Sequence, residues 1–175
     1  SLNTSRQRMP GFKKNMIAVF HGSTKEIRKP LAAAGRPHLD FGRGFYVTTI
    51  REQAVSWACR PFNAGKPKWV STYDFDYDAV KSGWKVKIFP AYNEDWLDFV
   101  IACRKGSPVW EKYDAVEGGI ANDRVFNTIE LYTAGLLPKA ETLSRLSYEK
   151  PNNQICIHSQ KIIDRYLRFV SSEAF

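Results

Sequence analysis

The spacing of apolar and polar positions changes along the chain, and these changes predict its strands. A continuous apolar run ends in His21-Gly22, which is typical of a strand buried on both faces. Elsewhere, apolar and polar residues alternate within short runs rich in β-branched and aromatic residues, as in half-buried strands. The segments with a strand pattern are 16–22, 45–48, 69–76, 84–89, 113–121 and 152–158.

Helical patterns separate these strands. The clearest begins with acidic residues and ends with Arg104, as the helix macrodipole favours, and it carries an apolar stripe. Thr49 and Glu52 have the spacing of a capping box, and Asn122 and Asp123 can cap a later helix. The predicted helices are 49–59, 94–104, 125–133, 139–146 and 161–170.

The order of these elements predicts an α+β fold. Strands and helices do not alternate regularly, as they would in a protein built from βαβ units. A chain of 175 residues is expected to form a single domain, which we place at residues 16–175. Residues 1–15 are polar and basic, and we interpret them as a flexible N-terminal arm or a remnant of expression.

Composition and charge indicate which classes of partner to expect. The formal net charge of +8 favours an anionic partner, such as nucleic acid, a phosphate-bearing cofactor or an acidic protein. The three cysteines show no metal-ligand spacing, so we expect neither a disulfide framework nor a metal site. The chain has no long apolar segment and no signal-peptide pattern. We therefore expect a cytoplasmic protein that does not contact a membrane, and a monomer.

The stretch 40–48 is the first candidate for a binding site. Gly42 and Gly44 flank Arg43, so the backbone there can bend sharply or approach a ligand closely. Side chains alternate along the strand that follows, so that Phe45 and Val47 face one side while Tyr46 and Thr48 face the other. Tyr46 suits stacking against a flat ligand ring, or it fills a sheet edge. Asp40, Arg43 and Thr48 either shape this wall or touch the ligand.

Two further residues have both a functional and a structural interpretation. His21 ends a buried strand next to a glycine, where side chains meet a cleft, but a lone histidine is more often a hydrogen-bonded structural residue. Arg36 lies on an irregular loop that leads to Asp40. It either holds a phosphate or pairs with Asp40.

Three stretches, 20–23, 41–48 and 153–157, together resemble the His–Tyr–Glu class of ADP-ribosyltransferases, which includes the poly-ADP-ribose polymerases and diphtheria-type toxins. With the segments 53–58 and 121–123 added, the ordered set is similar to a small bacterial family of unknown function, DUF3990, assigned to that superfamily. The resemblance covers nearly everything after Met16. It implies two small sheets that form an NAD cleft with flanking helices.

The resemblance also implies roles for individual residues, with NAD as co-substrate and no metal. His21 would hydrogen-bond the ribose next to nicotinamide, and the Gly22 backbone would bind the carboxamide, which a side chain there would obstruct. Tyr46 and Trp57 would stack on the nicotinamide ring, while Ala54 replaces a serine that often binds the carboxamide. The residues assigned to NAD are His21, Gly22, Ser23, Arg36, Gly44, Tyr46 and Trp57.

Gln154 departs from the pattern of the class. It stands where the late strand normally carries a glutamate, and an amide accepts the same hydrogen bonds without supplying charge. This argues against polymer elongation and leaves transfer of a single ADP-ribose unit. Asp123 is a candidate substitute carboxylate, or it only caps a helix. The residues assigned to catalysis are His21, Tyr46, Gln154 and Asp123.

These observations together predict an NAD-dependent mono-ADP-ribosyltransferase. We expect a protein acceptor rather than RNA or DNA, because no nucleic-acid motif accompanies the positive charge. Two alternatives stay open: a toxin-like NAD glycohydrolase that uses water as acceptor, and a non-catalytic module that binds NAD, ADP-ribose or nucleic acid. The enzyme would act in the bacterial cytoplasm or in that of a target cell.

Overall fold

The computed structural model describes residues 15–175, and within them a mixed sheet is surrounded by helices. The predicted N-terminal arm lies outside these residues, except for its last position. The strands are β1 (Ile17–Ser23), β2 (Phe45–Thr48), β3 (Trp69–Phe75), β4 (Val86–Ile88), β5 (Ala115–Gly119), β6 (Asn153–Ile157) and β7 (Leu167–Ala174). The α-helices are α1 (Arg51–Ala58), α2 (Tyr77–Gly83), α3 (Glu94–Arg104), α4 (Asp123–Thr133), α5 (Lys139–Leu146) and α6 (Gln160–Tyr166).

The strands form one seven-stranded sheet in the order β4-β5-β6-β2-β1-β3-β7. The structure therefore does not show the two small sheets that the resemblance implied. The reason lies at the centre of the sheet, where Phe20 of β1 pairs with Thr48 of β2 and joins the two halves. That is the single paired position between these strands, whereas β1 pairs with β3 from Ile17 to Ser23. The sheet is continuous but narrowly connected between β1 and β2.

The core consists of two clusters that the pleat of β2 separates. Phe45 and Val47 belong to one cluster, and Tyr46 packs against the other, so the alternation predicted for this strand is confirmed. The first cluster is built on residues such as Val19, Tyr73, Phe75, Ile155, Ile157 and Ile162. The second is built on residues such as Phe41, Phe89, Trp96, Leu97, Val116 and Cys156.

Two parts of the element prediction were wrong. The helix predicted over 161–170 ends at Tyr166, and the chain continues as β7, because the free edge of β3 pairs with it along its length. Helix α2 was not predicted. It starts where the Asp76 side chain accepts a hydrogen bond from the Ala79 amide, and it takes the place of a connection between two strands.

One predicted helix cap does not form, and another is confirmed. Helix α1 begins one position after Ile50, which makes no side-chain cap, and so the capping box of Thr49 and Glu52 does not form. Asn122 caps α4, because its side chain accepts a hydrogen bond of 3.0 Å from the amide of Val125. Asp123 is the first residue of that helix and not its cap. Its carboxylate is therefore not used for capping.

No helix in the described part of the chain is both long enough and apolar enough to cross a membrane. Within the same residues, no group of three or more histidine, cysteine or acidic side chains is placed to hold a metal ion. The cysteines are free thiols: Cys103 and Cys156 are buried and Cys59 is exposed.

Candidate functional site

A cavity of about 890 Å³ lies beside the end of β1 and the start of β2. Ligand-binding cavities commonly have volumes of about 300–1,000 Å³. The structure brings together at this cavity all of the residues that the sequence assigned to NAD binding or catalysis. They are His21, Gly22, Ser23, Arg36, Gly44, Tyr46, Trp57, Asp123 and Gln154.

The cavity exists because β1 and β2 stop pairing after one position. Continuing the register of Phe20 and Thr48 would place Gly22 opposite Tyr46, but no such pair forms. Instead, the Nδ1 of His21 lies 2.6 Å from the backbone oxygen of Tyr46 and donates a hydrogen bond to it. In a neutral imidazole this leaves Nε2 as an acceptor. The histidine therefore links the two strands and keeps one ring nitrogen for a ligand donor.

The surroundings of His21 keep its ring neutral. Its pKa is lowered to about 4, mainly because the ring is enclosed by protein, and the positive charge of Arg60 lowers it further. The hydrogen bond to the Tyr46 carbonyl acts in the opposite direction but is the weaker effect. The ring also contacts two aromatic side chains, with centroid distances of 4.4 Å to Phe45 and 6.3 Å to Trp57. At neutral pH, His21 is an uncharged hydrogen-bonding group.

This lowered pKa predicts a pH dependence of stability. Between about pH 6.5 and pH 4 the unfolded chain protonates at His21 and the folded protein does not, so the free energy of unfolding falls as the pH falls. We expect a loss of roughly 2–3 kcal/mol from this residue between pH 7 and pH 4. Urea unfolding of wild type and His21→Asn at several pH values measures it. If the two proteins differ in free energy of unfolding by the same amount at every pH in this range, the prediction is contradicted.

Tyr46 forms a wall of the cavity and also holds the loop before it. Its hydroxyl donates a hydrogen bond of 2.6 Å to the carbonyl of Gly42 and accepts one of 3.1 Å from the amide of Phe41. Burial raises the pKa of the phenol well above its ordinary value, so the group stays protonated. Gly42 has a φ of 84°, which favours glycine at this turn. The sequence indicated the wall but not this second role.

Trp57 carries a polar atom without a partner. Its indole Nε1 is buried and makes no hydrogen bond to any of the residues described, although the side chain lines the cavity. A buried donor left unpaired costs about 1–3 kcal/mol, and such groups in native structures call for an explanation. Because this nitrogen is also closed to water, a ligand oxygen would reach it only after the side chain turned toward the cavity.

The two glycines of the site are required for packing. A Cβ on Gly22 would lie 1.7 Å from the carbonyl oxygen of Ala54, so only glycine lets α1 approach β1 this closely. A Cβ on Gly44 would lie 2.5 Å from the sulfur of Cys156 on β6. The resemblance attributed the glycine at position 22 to access for the carboxamide, but in the structure a helix backbone fills that space. Ala54 itself is fully buried at this contact.

Gln154 and Asp123 reach the cavity from different elements. Gln154 lies on β6, opposite Thr48 of β2 and Gly118 of β5, and is only 5% exposed. Asp123 is exposed at the start of α4 and has no ion pair within residues 15–175. The hydroxyl of Ser23, by contrast, is used in a local turn, where it bonds to the backbone of Lys25.

The ion pairs around the cavity are not the ones that the sequence suggested. Asp40 pairs with Arg104 at 2.7 Å, so the alternative in which Arg36 pairs with Asp40 is wrong. Arg36 instead lies over the ring of Phe62, with 5.3 Å between its guanidinium carbon and the ring centroid. Arg60, Phe62 and Arg104 also line the cavity, and sequence reasoning missed them because they belong to no recognisable motif.

Positive charge remains unpaired at this site. Glu26 pairs with Arg28, and Asp40 is taken by Arg104. Among the residues described, no carboxylate pairs with the remaining cations of the cavity wall, which are Lys25, Lys29, Arg36 and Arg60. Unpaired cations around a cavity favour an anionic ligand.

Comparison with known proteins assigns the chain to a family without assigning an activity. The model of a family described as "Protein of unknown function (DUF3990)" matches residues 17–169. No match was found among curated proteins or among solved structures. The matched range begins with β1 and extends into β7, so it includes every residue assigned above to the cavity. The chain belongs to the DUF3990 family.

Proposed function

We propose that the protein is an NAD-dependent mono-ADP-ribosyltransferase, which transfers ADP-ribose from NAD to a macromolecular acceptor and releases nicotinamide. One observation carries the proposal. The residues assigned to NAD binding or catalysis come from separate stretches of the chain, and all of them line one cavity of about 890 Å³.

Several features of the cavity suit NAD. The rings of Tyr46 and Trp57 offer flat apolar surface to nicotinamide, and stacking of aromatic rings is favourable. The unpaired Arg36 and Arg60 suit the negative charge of a diphosphate. His21 can accept a hydrogen bond from a ribose hydroxyl through its free Nε2.

The proposed reaction breaks the bond between ribose C1′ and the nicotinamide nitrogen. Nicotinamide leaves with the bonding electrons, and positive charge develops on the ribose. A lone pair of the acceptor then forms a bond to C1′, and the acceptor loses a proton, which we assign to the carboxylate of Asp123. His21 and the rings of Tyr46 and Trp57 position the two reacting groups. Such positioning accounts for a large part of many enzymatic rate enhancements.

A substitution at Gln154 tests whether this residue faces the ribose. Replacing it with glutamate is expected to raise the rate of nicotinamide release about tenfold, which corresponds to about 1.4 kcal/mol of transition-state stabilisation. The physical reason is that a carboxylate would stabilise the charge on the ribose. The rate is measured by chromatography of nicotinamide under single-turnover conditions, for wild type, Gln154→Glu and Gln154→Ala.

The same substitution should lower stability, since position 154 is only 5% exposed and a buried carboxylate is unfavourable. Urea unfolding therefore accompanies the rate measurement and identifies the fraction folded. A folded Gln154→Glu variant that releases nicotinamide no faster than wild type would show that this position does not face the ribose.

The function itself is tested with NAD labelled in the adenylate moiety. The full chain is incubated with cell lysate, and the labelled product is digested with protease or with nuclease. Transfer to a macromolecule is the expected result. Equal nicotinamide release with and without lysate, and no labelled macromolecule, would favour water as the acceptor and overturn the transferase. Intact NAD binding without any nicotinamide release would leave a non-catalytic binding module.

A further inference from the structure

We infer that Arg36 and Arg60 together form a diphosphate-binding site in the wall of the cavity, with Arg60 as the residue that selects ligands carrying a diphosphate. Arg60 belongs to none of the motifs that define the rest of the site. The inference rests on the proposed function in taking NAD as the dinucleotide that binds there. The anion site itself is argued from the charges and contacts of the two arginines.

The first observation is that Arg36 and Arg60 carry like charges near one another in the cavity wall, since the guanidinium of Arg36 lies 5.3 Å from the ring of Phe62, two residues after Arg60. The pKa of Arg60 lies below its ordinary value because its guanidinium is partly withdrawn from water and because the positive charge of Arg36 is nearby. Both side chains are exposed, so water screens part of this repulsion, but two like charges held near one another still disfavour the empty site. An anion bound between them removes that repulsion and gains two charge-assisted interactions.

The second observation is that no nearby carboxylate neutralises the charge of the two arginines. Asp40 attracts Arg60 from a distance, but its carboxylate is held by Arg104 at 2.7 Å. Glu26 is held by Arg28. Within the described residues, neither Arg36 nor Arg60 is part of an ion pair. The two guanidinium groups therefore have no anionic partner among these residues, and a ligand would supply one.

The third observation is that one short segment follows Arg60 directly and also supports the guanidinium group of Arg36. Arg60 directly precedes the 3₁₀-helix Pro61–Asn63. The side chain of Asn63 ties that segment to the end of α1 by donating to the carbonyls of Trp57 and Ala58 at 3.3 and 3.2 Å. Arg36 rests on the ring of Phe62 in the same segment. A site fixed before binding loses less entropy when the ligand arrives.

The position of Arg60 relative to His21 indicates which part of a ligand binds. Arg60 and His21 both line the cavity, and Arg60 follows the end of α1 by two residues, where the Trp57 ring lies at a centroid distance of 6.3 Å from His21. A ribose hydroxyl at His21 would therefore have its attached phosphates near Arg60. Two guanidinium forks match two phosphoryl groups better than one, because each fork can bind oxygen atoms in bidentate fashion. The ligand class that follows is a ribosyl diphosphate.

The test compares binding of ADP, AMP and nicotinamide to the full chain by isothermal titration calorimetry. We expect Arg60→Gln to weaken ADP binding at least about tenfold, as loss of one charge-assisted interaction implies. Nicotinamide binding should be unchanged, and wild type should prefer ADP to AMP. The matched control is Arg168→Gln, which removes the same charge from a surface pair with Asp74, away from the cavity. Equal ADP affinity in wild type and Arg60→Gln would overturn the inference.

Two further readouts separate anion binding from a structural role. In the absence of ligand, Arg60→Gln should unfold at the same or a higher temperature, because the substitution removes repulsion from Arg36; a lower melting temperature would instead indicate a structural residue. By NMR titration, the pKa of His21 should rise in Arg60→Gln and also when ADP binds to wild type. A His21 pKa that changes neither in Arg60→Gln nor when ADP binds would contradict the placement of the diphosphate beside Arg60.

These experiments distinguish failure of the diphosphate site from failure of the proposed function. ADP binding that depends on Arg60, in a protein that never releases nicotinamide from NAD, would uphold the diphosphate site and overturn the transferase. Nicotinamide release by wild type, with ADP affinity that does not depend on Arg60, would uphold the enzyme and overturn the site.

Discussion

Replacing His21 with alanine is expected to reduce nicotinamide release from NAD at least about 100-fold, the effect expected when reacting groups lose their alignment. The substitution removes the Nε2 acceptor that faces the cavity. It also removes the 2.6 Å hydrogen bond to the carbonyl of Tyr46, which links β1 to β2 where their pairing stops. Tyr46 then loses part of what fixes its position beside the ligand, and binding and reaction should both weaken.

A second histidine provides the control for this prediction. His38 is exposed, does not line the cavity, and has a φ of 64°, which asparagine tolerates better than most residues. His38→Asn should therefore keep the activity of wild type. Single-turnover release of nicotinamide measures both variants, with thermal unfolding to confirm that each is folded. His21→Ala with activity within twofold of wild type would remove His21 from the site.

Replacing Gly22 with alanine is expected to lower the free energy of unfolding by about 3 kcal/mol, near the upper end of the usual range for overpacking. The added Cβ would lie 1.7 Å from the Ala54 oxygen and 3.0 Å from the Ala58 nitrogen, both in the backbone of α1. A helix backbone cannot move aside as a flexible side chain can. Helix α1 must shift, and Trp57 shifts with it, so nicotinamide release should fall as well.

Gly83 is the matched control, because nothing lies within 4 Å of a Cβ at that position. Gly83→Ala should leave stability unchanged or raise it by a few tenths of a kcal/mol, since alanine reduces the freedom of the unfolded chain. Urea unfolding of the two variants beside wild type measures the difference. A Gly22→Ala protein as stable as Gly83→Ala would mean that α1 does not pack on β1 as described.

Much of the secondary structure follows from local pattern. Helices α3 and α5 have the predicted bounds, because an apolar stripe and a break after each helix are properties of the segment itself. The strands β1, β2, β3 and β6 lie within a residue or so of their predicted positions. The strand β7 could not be predicted in this way. Its residues also fit a helix, and pairing with β3 decides between the two.

The candidate site, like the fold, was predictable from the sequence only in part. The sequence by itself determined which residue types were available for the cavity and their order in the chain, since His21, Tyr46, Trp57 and Gln154 stand in recognisable motifs. Only the tertiary structure decided which charges are paired. Arg104 is distant from Asp40 in sequence yet takes its carboxylate at 2.7 Å, which leaves Arg36 and Arg60 without an ion pair among the residues described. The physical reason is that an ion pair depends on distance in space, and no local pattern encodes which of several arginines will be nearest.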